Sequence, residues 1–111
     1  MTILHNPKDF KVVEFYYYPT CVTHRIVEFD NGFNVNSPDN VEDVKDLFEE
    51  LLKVVKKKTK INDYHLMNNK VAMKIIHTPT NTTFYIGFKD WNWSLGLALN
   101  PYMVGKCIKI D

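Results

Sequence analysis

The stretch Trp91-Asn92-Trp93-Ser94-Leu95-Gly96-Leu97-Ala98-Leu99 decides the fold. Its odd positions are large and apolar and its even positions small or polar. Side chains alternate faces along a strand, so the run reads as β-structure with one buried face. The other face, Asn92, Ser94, Gly96 and Ala98, is small enough for a second layer to approach closely, either a partner or a second copy of the chain.

The buried face needs an apolar surface to pack against, and residues 38–58 supply one. Val41, Val44, Leu47, Phe48, Leu51, Leu52 and Val55 recur at spacings of three and four, the stripe of an amphipathic helix. Ser37-Pro38 is a good start for it, because serine caps free backbone N–H groups and proline fits the first helical position. Acids fill the first half, and Lys53, Lys56, Lys57, Lys58 and Lys60 lie at or beyond the end, which suits the helix dipole.

Other strands flank this helix. Phe10 to Tyr18 is rich in strand-favouring residues and stops at Pro19-Thr20. Cys21 to Phe29 reads as a second strand, Asp30-Asn31-Gly32 as a tight hairpin turn and Phe33 to Val35 as a short return. After the helix come Tyr64 to Met67, a turn at Asn68-Asn69, Lys70 to Thr78, a turn at Pro79-Thr80-Asn81, Thr82 to Asp90, the opening stretch, and Val104 to Ile110. Val71, Met73 and Ile75 share one face, as do Phe84, Ile86 and Phe88. The sequence therefore predicts one α+β domain over residues 1–111. In it, a twisted antiparallel sheet of about seven to eight strands carries a single helix, about 38–58, packed on one face.

At 111 residues and 13.1 kDa the chain is long enough for one core, since about two thirds of its unfolded surface is buried on folding. A hydrophobic fraction of 45% argues for a packed domain and against disorder. No apolar run approaches the ~20 residues needed to cross a bilayer, so no membrane partner is expected. Met1 to Asp9 lacks the basic-then-apolar layout of a signal peptide, and a cytoplasmic location is expected.

Net charge of +1 predicts no strong bulk attraction to nucleic acid or membrane. Arg25 is the only arginine, and Lys, Asn, Ile, Tyr and Phe, all with AT-rich codons, are abundant. This bias points to an AT-rich genome such as that of a low-GC bacterium, its phage or a mobile element. It also leaves few guanidinium forks for reading phosphate or guanine.

Chemistry-bearing residues are sparse. Cys21 and His24 would point to opposite faces of a strand, and no second closely spaced pair joins His5, His65, His77 and Cys107 to complete four metal ligands. No metal and no cofactor is expected. A thiol enzyme would need Cys21 or Cys107 within reach of an imidazole such as His24 or His77. There is no glycine-rich phosphate loop or nucleophile elbow, so the chain is expected not to be an enzyme.

The more unusual feature is acidic. Residues 39–50 carry six carboxylates, Asp39, Glu42, Asp43, Asp46, Glu49 and Glu50, against one lysine, Lys45. They band together opposite the apolar stripe, with i, i+4 neighbours about 6 Å apart. That resembles the spacing of phosphates along one strand, so the band could occupy a basic nucleic-acid groove on another protein. Tyr16, Tyr17 and Tyr18 cannot all face one core, and at least one is expected outside, as sheet cover or as a partner anchor.

These features lead to a non-catalytic protein–protein interaction module that binds a host protein. Its most concrete form is a small phage or mobile-element inhibitor of a nucleic-acid-processing or defence protein, of the anti-CRISPR kind. The expected contact residues are the six carboxylates and the three tyrosines. The alternatives are a single-strand nucleic-acid binder using Lys56 to Lys60 with the tyrosines as stacking platforms, and a small cysteine-dependent enzyme.

Overall fold

The computed structural model describes residues 6–19, 29, 41–61, 69–89, 92–99 and 106–110. Among these, one α-helix, α1 (Val41–Lys58), packs on a five-stranded antiparallel sheet. The strands are β1 (Phe10–Pro19), β2 (Asn69–His77), β3 (Thr82–Lys89), β4 (Asn92–Gly96) and β5 (Lys106–Lys109), in the order β4-β3-β2-β1-β5. The α+β class, the antiparallel pairing and the helix on one face match expectation. The strand count does not, being five among the described residues against the seven to eight expected. The strands read at 21–29, 33–35 and 64–67 lie outside the described residues, apart from Phe29, which forms an isolated antiparallel bridge with Leu99.

Strand β1 carries the decisive irregularity. A bulge between Val12 and Glu14 shifts its register against β2, so that Val12 pairs with Ile75 and Glu14 with Lys74. One extra residue reverses the facing of everything after it. Phe10, Val12, Phe15 and Tyr17 consequently meet α1, whereas Glu14 and Tyr16 turn to the opposite face. The Val13 carbonyl at the bulge accepts the Ile110 N–H at 2.9 Å.

On the helix side, β2 contributes Val71, Met73 and Ile75, β3 contributes Phe84 and Ile86, and α1 contributes Val44, Leu47, Phe48, Leu51 and Val55, all buried. Trp93 and Leu95 pack at the margin, the Trp93 ring lying 4.6 Å from Phe48 and meeting Phe88 edge-on at 5.6 Å. The stripe read from the sequence is thus the docked face of α1. Fully burying side chains of this size contributes roughly 1.5–3 kcal/mol each.

The opening stretch is shorter as a strand than its alternation suggests. β4 ends at Gly96, Leu97 is 37% exposed, and Leu99 joins a second cluster of Tyr16, Phe29 and Ala72 on the far face. Leaving the ladder after Gly96 releases the chain from the period-2 rule, which explains why Leu97 and Leu99 do not follow Trp93 and Leu95.

Local chemistry ends α1. The Val55 carbonyl accepts both the Thr59 N–H at 2.9 Å and the Thr59 hydroxyl at 2.8 Å, and that hydroxyl in turn accepts the Ile61 N–H at 3.3 Å, which turns the chain out of the helix. The β2–β3 turn uses Asn81 at φ 54°, a left-handed conformation that asparagine tolerates better than most residues.

Candidate functional site

The outward face of α1 follows from its inward one. With Val44, Leu47, Phe48, Leu51 and Val55 held on the sheet, the 3.6-residue period turns Glu42, Asp46 and Glu49 to the opposite side. Glu42, Asp46, Glu49 and Glu50 are exposed and Asp43 is half-buried. Glu50 pairs with Lys53 at 3.0 Å across one turn, a contact between two largely solvated side chains that is worth little. Asp39 lies outside the described residues.

Further along the same helix Lys53, Lys56, Lys57 and Lys58 are exposed, as is Lys60 beyond its end. The outward surface therefore changes sign near its middle, from carboxylates at the N-terminal half to ammonium groups at the C-terminal half. Val54, beside them, is 39% exposed.

Tyr16 and Tyr17 lie on opposite faces of the sheet, as consecutive strand residues must. Tyr16 is buried at 7% exposure, because the bulge turns it into the far-face cluster with Ala72 and Phe29. Tyr17 is half-buried against the main core. The Tyr16 ring is thus covered, whereas Tyr17 keeps part of its surface exposed. The side chain of Tyr18 lies outside the described residues.

A polar cluster that sequence reasoning did not anticipate occupies the sheet face away from α1. Glu14, itself 8% exposed, accepts hydrogen bonds from the Tyr16 hydroxyl at Oε1 and from the Lys109 ammonium at Oε2. Register explains the meeting, since Glu14 stands opposite Lys109 on β5 and Lys74 on β2. The Lys109 bond, then the Tyr16 bond, hold the Glu14 carboxyl below its ordinary range against the contrary effect of burial. Burial first, and then its bond to Glu14, push the Tyr16 phenol well above its ordinary value. Lys109 is raised by its bond to the carboxylate.

Cys107, opposite Tyr16 on β5, has a free thiol. Partial desolvation by its neighbours and then the Glu14 charge push that largely exposed thiol up, the opposite of what an activated nucleophile needs. His77 cannot assist it. That ring is buried on the helix side, 5.0 Å from Phe10, with Nδ1 at 2.8 Å from the Thr80 hydroxyl, whereas Cys107 faces the other way. Cys21 and His24 lie outside the described residues.

No group of three potential metal ligands comes together among the described residues. No helix among them is long and apolar enough to cross a membrane. Comparison of the chain with models of known protein families, with curated proteins and with solved structures finds no match to any of them.

Proposed function

We propose that the protein is a non-catalytic binding module that docks on a basic surface of another protein through the outer face of α1. One observation carries the reading. The apolar stripe of α1 is used up on the sheet, while Glu42, Asp46, Glu49 and Glu50 stand exposed together on the rest of the helix. A helix anchored on the sheet fixes the backbone positions of those carboxylates, so only their side chains remain to be ordered when a cationic groove closes on them.

The most concrete form of the proposal is a small inhibitor of a phage or mobile element. It would act inside the host cell, its carboxylates taking the place of phosphates in the groove of a nucleic-acid-processing or defence protein. Tyr16, being buried, has no part in this form, which rests on Glu42, Asp43, Asp46, Glu49 and Glu50, with Asp39 continuing the band in sequence.

The test is comparative capture from host extract. Immobilised wild-type protein and an E42K/D46K/E49K variant are exposed to the same extract, and proteins retained by the first and lost by the second are identified. Retention of the same proteins by both would contradict the proposal. Gel-shift titration with random single-stranded RNA and DNA at two salt concentrations separates it from direct nucleic-acid binding by the lysines. Phosphate-driven binding weakens steeply with salt, and the proposal expects no shift at either concentration.

A further inference from the structure

We propose that β5, the edge strand of the sheet among the described residues, is releasable, pinned to β1 by Glu14 and freed as a unit when that carboxylate is neutralised. Three features of the fold support this. β5 has four residues, and its ladder spans only Glu14 to Tyr17 of the ten-residue β1. It buries little of itself, for Cys107 and Lys109 are exposed and Ile108 is half-buried, whereas Val71, Ala72, Met73 and Ile75 of β2 are buried in succession along both faces. Segments with few buried apolar contacts open well below the global unfolding energy.

Polar pinning adds to a modest apolar contact, that of Ile110 with the main core just beyond the strand. Each Glu14 oxygen accepts from a different strand, Oε1 from Tyr16 of β1 and Oε2 from Lys109 of β5, so this one carboxylate joins the two. Beyond the ladder, the Ile110 N–H to the Val13 carbonyl adds one backbone bond at the bulge. Among the described residues, the titratable and charged groups around Glu14 are Tyr16 on its own strand, Lys109 and Cys107 on β5, Lys74 on β2 and, through Tyr16, Tyr85 on β3. Glu14 is the one carboxylate in this set, so acid acts on the cluster through it. Proton uptake there leaves Lys109 opposite a neutral group and removes the charge that draws β5 inward. Release then opens the Glu14–Tyr17 edge of β1.

Amide hydrogen exchange followed by NMR tests this on wild-type protein, Glu14→Gln and Lys109→Met. The Lys109 side chain is 74% exposed, so its replacement leaves folding intact even where the glutamate variant does not. At pH 6 the β5 amides should exchange about tenfold faster in either variant, the scale set by losing one hydrogen bond to a charged group, while β2 and β3 amides keep their rates. In wild-type protein the β5 rates, corrected for intrinsic exchange, should rise selectively as pH falls through the carboxylate range. Exchange of β5 at the same protection as β2 and β3 throughout, or β5 rates unchanged in Lys109→Met, would overturn the proposal.

Discussion

Glu14 and Lys109 stand opposite each other across β1 and β5, and the ammonium donates to a carboxylate that burial would otherwise penalise. That pairing sets the expected acid response. The folded-state pKa of Glu14 lies below its ordinary 4.5, so its contribution to stability is fully present above that value and is lost as pH falls through the folded one. Glu14→Ala should cost about 1–3 kcal/mol at pH 7, since it strands the buried Tyr16 hydroxyl. Urea titrations should show the gap between wild type and Glu14→Gln closing below pH 4. A gap that stays constant down to pH 2.5 would contradict the assignment.

Gly87 has no room for a side chain. A Cβ there would lie 2.7 Å from the Val71 carbonyl oxygen and 2.8 and 2.9 Å from Ala72 Cβ and Cα, and two of those three atoms belong to the backbone. Gly87→Ala should therefore destabilise by about 1–3 kcal/mol, the range for overpacking, despite the better strand propensity of alanine. Thermal unfolding checks it, and a midpoint equal to wild type would show that β2 and β3 can separate at no cost.

Phe48 couples helix and sheet. It is 2% exposed and touches the Trp93 ring, so Phe48→Ala should cost about 3–5 kcal/mol, and near-ultraviolet circular dichroism should lose signal from the tryptophan. Val54→Ala, at an exposed position of the same helix, should change stability by no more than about 0.5 kcal/mol. Equal losses at the two positions would mean that α1 docks by another face.

The helix was legible in the sequence because its signal is redundant. Five of its seven stripe residues are buried, Leu52 is half-buried against the same core, and a single misread position could not have moved the period. The strand faces of β2 and β3 were legible for the same reason. The facing of Tyr16 was not, since it depends on one inserted residue at Val13 that no residue type announces. Counting alternation from Phe10 places Glu14 and Tyr16 on the helix side, and the bulge reverses both. The Glu14 cluster was hidden by the same step, and by the pairing of residues 95 positions apart. Within the acidic band the sequence indicated exposure correctly for Glu42, Asp46, Glu49 and Glu50, where helix period alone decides.

The docking role of α1 is tested most directly by titrating the protein captured from host extract, once purified, with wild type and with the E42K/D46K/E49K variant, alongside the thermal midpoint of each. Reversing three exposed charges should leave the fold intact. The account predicts loss of measurable affinity with a midpoint shifted by no more than a few degrees, about what 1 kcal/mol produces in a domain of this size. Equal affinity of the folded variant and the wild type would contradict it.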